Sequence, residues 1–316
     1  KPLEEQIELR KKRFLQITKH IETVGLNYNN ADSPMWFIHA IEEYDRIYRM
    51  EHDGRGDENF LKEMKPVIEN ILKGYGKSKD EATAIYYHRD QYHTIYNEDR
   101  RVVSPKQATW MDAWPDIPEP VTPRAGAAVE INAMYYSGLR FLAGLEQKFG
   151  KAETVSEINA EADEVKKKFN EKFWNPGYEA DPNATPLLDY YVDGNLANPN
   201  EHQGAIRPNM IFAVSHGGDL LSPERKKAVV DSVTKNLLTP YGLRTLNQGD
   251  LAGKYLGDYR QLMDSGSQVA KDRAYHNGTV WPWLIGGYVD AYATAYPDTD
   301  PAYSGKNLKE RVGIIL

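Results

Sequence analysis

Asp112 is a carboxylate among apolar neighbours. The stretch SPKQATWMDAWPDIPEPVTPR, Ser104 to Arg124, sets it beside Trp110, Met111 and Trp114. The stretch is proline-rich and has no helical period, so it reads as a long loop. Apolar surroundings disfavour the charged form of a carboxyl and raise its pKa. An aspartate that keeps its proton near neutral pH can act as a general acid. The same surroundings fit a plainer role, in which Asp112 caps a short turn while the tryptophans pack inward.

Other side chains extend this chemistry. Glu130 falls in the first turns of a helical pattern, where the helix N-terminus stabilises negative charge. It suits gripping hydroxyl groups, or it is a simple helix-start charge. Asp32 precedes Ser33 and Pro34, so it either faces a site or caps a helix. Trp36, Trp110 and Trp281 offer flat apolar faces, and Arg207 and His276 offer polar tips. Carboxylates with tryptophans suit a sugar, whose ring has apolar faces and hydroxyl edges. Glycoside hydrolysis needs a proton donor for the leaving oxygen and a second carboxylate for the anomeric carbon or its water. The chain has 21 tyrosines and 6 tryptophans at a net charge of −7. That balance fits a sugar cleft, and tyrosines filling helix interfaces would produce it too.

Several chemistries are excluded. There is no cysteine, hence no thiol catalysis. His88 and His93 have no matching acids, so no metal site is expected. No phosphate loop, dinucleotide fingerprint or serine elbow occurs, and no cofactor is expected. With no basic block, nucleic acid is not an expected partner. No apolar run is long enough to span a membrane.

The elements that must carry these residues are helical. Residues 4–21, 35–48, 60–74, 127–150, 153–174, 208–216, 222–238 and 281–296 show helical periodicity, and strand signals are few. The basic run Glu164 to Phe173 alternates with acids and reads as a solvated face. Four helices are expected to start near Pro34, Pro123, Pro208 and Pro282, since proline suits a first helical turn. The intervals are 89, 85 and 74 residues. Each holds one helix, a turn, a second helix and a long return loop. The periodicity predicts an all-α, α/α toroid whose loops gather Asp32, Asp112, Glu130 and His276 on one rim. An open helical solenoid is the rival architecture.

Taken together, YNNADSPMWFIHAIEEY, ATWMDA, VTPRAGAAVEINAMYYSGLRFL, AIRPNMIFAVS, LTPYGLRTL and RAYHNGTVWPWLIGGYVDAY resemble the glucosidase part of glycogen debranching enzymes, from about Tyr28 to Tyr296. The resemblance implies an (α/α)6 barrel in a cytoplasmic enzyme. It implies inverting hydrolysis of α-1,6-linked glucose at branch points of glycogen or another branched α-glucan. It places the general acid on Asp112, and it puts Glu130 and the Tyr275 to Trp283 segment in the glucose pocket. The family's general base, a glutamate beyond the GTVWPW segment, has no match here. Asp290, Asp298, Asp300 and Glu310 are the later acids, and none fits. The family's N-terminal β-rich domain and its tryptophan-rich segment have no match either. Residues 1–316 are therefore expected to form a single but incomplete toroid domain that needs the rest of its enzyme. Two alternatives stay open: a non-catalytic carbohydrate-binding α/α-barrel protein, and a sugar epimerase on the same scaffold. A base glutamate in further sequence would separate the first from a hydrolase. Paired rim histidines would mark the second, and only His276 falls at the rim.

Overall fold

The computed structural model describes residues 30–82, 84–86, 92–114, 120–192, 202–248, 263 and 266–297. The helix expected over residues 4–21 lies outside the described residues, as do Asp298, Asp300 and Glu310. The described residues are mostly helical: α1 (Ser33–Glu51), α2 (Glu58–Gly76), α3 (Val129–Phe149), α4 (Ala152–Lys172), α5 (Phe212–Ser215), α6 (Pro223–Asn236), α7 (Gln268–Tyr275) and α8 (Leu284–Ala295). None of these helices is long and apolar enough to cross a membrane.

The helices form a row with flanks. Along the row α1 packs on α3, α3 on α5, and α5 on α8. Each flanking helix follows a row member in sequence: α2 packs on α1 and α3, α4 on α3, and α6 on α5 and α8. Burial matches these places. The row helix α3 is buried on nearly every side, whereas α4 buries only Ala162, Val165 and Phe169, spaced three and four apart. That spacing makes one narrow stripe; in the basic run Glu164 to Phe173 only Val165, Phe169 and Phe173 are buried.

The close approach of α3 to its neighbours depends on a glycine. A Cβ on Gly138 would stand 3.0 Å from Leu72 of α2 and 3.6 Å from Ile38 of α1. On α1, Met35, Ile38 and Ile41 are buried at helical spacing. Burying one such side chain is worth roughly 1.5–3 kcal/mol. Truncating Ile38 to alanine would leave a cavity and cost roughly 2–5 kcal/mol.

The proline-led helix starts are only half as expected. Pro34 lies in the first turn of α1, and Pro208 opens a 3-10 turn (Pro208–Ile211) that runs into α5. Pro123 and Pro282 precede their helices instead: a strand occupies part of the backbone between Pro123 and α3, and Pro282 lies in a turn just ahead of α8. Ala127–Ala128 pairs with Tyr190–Tyr191, and α3 begins only at Val129. Val280–Trp281 pairs with Gly242–Arg244, and Pro282 and Trp283 form the turn that leads into α8 at Leu284. Gly242–Arg244 also pairs with Leu238–Thr239. The side-chain caps sit elsewhere: Asp57, Ser222 and Ser267 accept from the first turns of α2, α6 and α7. Eight-residue α7 was not expected, since it buries only Ala274 and carries little periodicity.

Candidate active site

The loop bearing Asp112 is fastened at several backbone points. Ser104 and Gly126 exchange hydrogen bonds at 2.9 and 3.0 Å, and the Arg124 N–H donates to Lys106 at 2.7 Å. Gly126 has φ +120°, and a Cβ there would sit 2.5 Å from the Tyr191 carbonyl. Only glycine suits that turn. Ala31 N–H donates to the Ala108 carbonyl, which brings the start of α1, with Asp32, to the same loop.

Beneath the loop lies a buried ion group. Arg124 directs Nη1 and Nη2 at Glu130, at 2.5 and 2.6 Å, and its Nε donates to Asp189 at 2.7 Å. Arg124 and Glu130 are fully enclosed. Arg207 approaches the same Asp189 at 3.9 Å and donates to the carbonyls of Thr245 and His276 and to Asn277 Oδ1. Burial works against both guanidinium charges. At Arg124 the Asp189 and Glu130 charges outweigh it and the pKa rises; at Arg207 burial prevails and the pKa falls to about 10.

Above this group stands an aromatic wall. The Trp110 ring meets His276 edge-on at 5.2 Å and Trp283 edge-on at 5.1 Å. Trp283 also meets Trp36 at 6.1 Å and lies over Phe212 at 5.9 Å. Trp283, in the same GTVWPWL stretch as Trp281, is 44% exposed and joins both tryptophans. Trp281 stands behind Tyr275, donating its indole N–H to that carbonyl at 2.9 Å.

The titratable groups fall in three settings. Asp112 has an exposed edge, yet the atoms packed around it raise its pKa by desolvation. Asp32 is buried, and burial, with the charges of Glu130 and Asp112 added, pushes it up to about 6. The His276 pKa falls to about 3, through burial first and then Arg207 and Arg124. Its ring is therefore neutral at pH 7, and its buried Nδ1 has no hydrogen-bond partner among the described residues.

The fold thus brings Asp32, Asp112, Glu130, Trp36, Trp110, Arg207 and His276 into one neighbourhood. Glu130 and Arg207 are enclosed in the floor, and Trp281 is set behind Tyr275. Four site residues were not singled out from sequence. Trp283 had a signal in its motif; Arg124, Asp189 and Asn209 had none, being ordinary polar residues in helix-start and loop segments. Among the described residues no cluster of three or more His, Cys, Asp or Glu could hold a metal ion.

The amylo-alpha-1,6-glucosidase family model matches residues 17–312. The chain belongs to the amylo-alpha-1,6-glucosidase family. Over 224 residues it is 28% identical to the glycogen debranching enzyme of Saccharomyces cerevisiae, a match covering 61% of this chain and 14% of that protein. The chain thus spans a small part of the length of that relative. Within this amylo-alpha-1,6-glucosidase domain, the ATWMDA loop, the buried ion group and the aromatic wall are contiguous in space.

Proposed function

We propose that the chain carries a site removing α-1,6-linked glucose from branch points of glycogen or a related glucan, with Asp112 as general acid. The observation that carries the reading is the setting of Asp112. It shares a three-residue segment with Trp110, which abuts the enclosed, neutral ring of His276. Desolvation raises the Asp112 pKa, the direction that proton donation to the leaving oxygen requires. Trp36, Trp110 and Trp283 would pack on the sugar's apolar faces. Glu130 and Arg207 would serve from the floor, the first by holding Arg124 and the second by holding the His276 turn.

Inversion needs a second carboxylate about 6.5–9.5 Å from the acid. Both Glu130 oxygens are taken by Arg124, and Asp32 is biased toward its neutral form. Neither suits a base, so the reading leaves that role to a segment outside the described residues. The row α1–α3–α5–α8 with its flanks supports an (α/α)6 toroid as the surrounding architecture, with residues 1–316 contributing a single incomplete domain. A cytoplasmic setting belongs to the same reading.

The test is the anomer first released from a branched limit dextrin, followed by NMR. The reading expects β-glucose, lost in Asp112→Asn. Initial α-glucose would rule out direct water attack, and binding without release would favour a sugar-binding protein.

A further inference from the structure

Asn209 has no exposed surface and touches the Asp112 loop from below. Its Oδ1 accepts from the Trp110 indole N–H at 2.7 Å. Its Nδ2 donates to Asp189 Oδ1 at 2.8 Å and reaches Met111 Sδ at 3.4 Å. Chemistry fixes the amide orientation, because an indole N–H only donates and a carboxylate only accepts. Asparagine offers one donor end and one acceptor end on a short stem. Aspartate would oppose acceptor to acceptor at Asp189, and leucine, of similar size, would satisfy neither partner.

We infer that Asn209 is a positioning residue that ties Trp110 and Met111 to the buried Asp189–Arg124 pair and so fixes where the next residue, Asp112, presents its carboxyl. The inference rests on Asp112 being the general acid. Losing the tie has two consequences. The carboxyl is misplaced relative to the leaving oxygen, and a displacement of about 1 Å can cost about 100-fold in rate. Water also gains access to Asp112, which lowers its pKa. The general acid must be protonated, so the alkaline limb of kcat would move to lower pH. A purely structural role would reduce the amount of active protein and leave that limb in place.

The experiment compares wild type, Asn209→Leu, Trp110→Phe, the double variant and Asp112→Asn in the whole enzyme, measuring kcat and KM on a limit dextrin across pH. For Asn209→Leu a kcat loss of about 10- to 100-fold with little change in KM is expected, with the alkaline limb moved down by roughly one unit. Trp110→Phe keeps a ring against His276 and Trp283 and leaves the Asn209–Asp189 bond intact. It should move the limb the same way by less, and the double variant should go no further than Asn209→Leu. If Asn209→Leu does not fold, Trp110→Phe decides alone. A limb at the wild-type pH in the folded variants, with Asp112→Asn inactive, overturns the tie and spares the acid. Full turnover by Asp112→Asn overturns the acid, and the tie with it.

Discussion

The Glu130 charge reaches Asp32 and, after burial itself, is the largest influence raising that carboxyl to about 6. In the unfolded chain the same group titrates near 3.8. The folded state therefore holds this proton more tightly. The stability it contributes is complete below pH 3.8 and is lost as pH rises through about 6. A shift of this size corresponds to about 3 kcal/mol. Asp32→Asn removes the dependence, so its unfolding free energy should gain on wild type by up to about 3 kcal/mol between pH 4 and 7. Urea unfolding at several pH values checks this. The difference between the two proteins is the readout, because His216 and His276, lowered to about 4 and 3, act with opposite sign in an overlapping window. A flat difference would remove the linkage.

Asp112→Asn in the whole enzyme should cut turnover of a branched limit dextrin by about 10²- to 10⁴-fold, the usual contribution of acid catalysis. Substrate affinity should change little, and the residual rate should lose its alkaline limb. Steady-state kinetics across pH measure both. Turnover within about threefold of wild type would take Asp112 out of the mechanism, since the smallest typical acid contribution is larger.

Arg124→Ala should destabilise the fold by about 3–5 kcal/mol, because it strands the enclosed Glu130 without a counter-charge and leaves Asp189 only the more distant Arg207 at 3.9 Å. Adding Glu130→Gln should restore part of the loss. Guanidinium unfolding of the single and double variants gives the comparison. A loss near 1 kcal/mol, typical of ordinary substitutions, would mean that the group is held by something other than this guanidinium.

The two tryptophans of the GTVWPWL stretch should separate binding from stability. Trp283→Ala should weaken a glucose-like inhibitor about tenfold, the worth of one good aromatic contact, with little change in Tm. Trp281→Ala should lower Tm more than affinity, since its indole props the His276 turn. Calorimetric titration and thermal unfolding report the two effects. The reverse pattern would place Trp281 in the pocket.

Much of this was legible in the sequence, and the physics explains which part. α1, α2, α3, α4 and α6 appear as periodic apolar patterns, because each buries a stripe against a neighbour. α3 starts six residues beyond Pro123, because a two-residue strand such as Ala127–Ala128 carries no pattern of its own and forms only when a distant partner, Tyr190–Tyr191, arrives. The helix α7 was too short and too polar to register. At the site, Asp112, Trp110 and His276 stand in distinctive local contexts. The floor does not, since Arg124, Asp189 and Asn209 acquire meaning only through contacts between segments remote in the chain.

That remoteness has a consequence for how the molecule is made. Trp110 and Asn209 are 99 residues apart, Arg124 and Asp189 are 65 apart, and Arg207 and Asn277 are 70 apart. The helix ladders, by contrast, close within four residues. Contacts that must first close long loops form slowly. A refolding chain should regain its helical circular dichroism well before these long-range contacts form. During synthesis Arg124 and Glu130 meet early, but their pocket stays one carboxylate short until residue 189 has emerged. A newly made chain therefore passes through a helical stage that lacks its buried ion group, and that is the interval in which a chaperone would have most to offer.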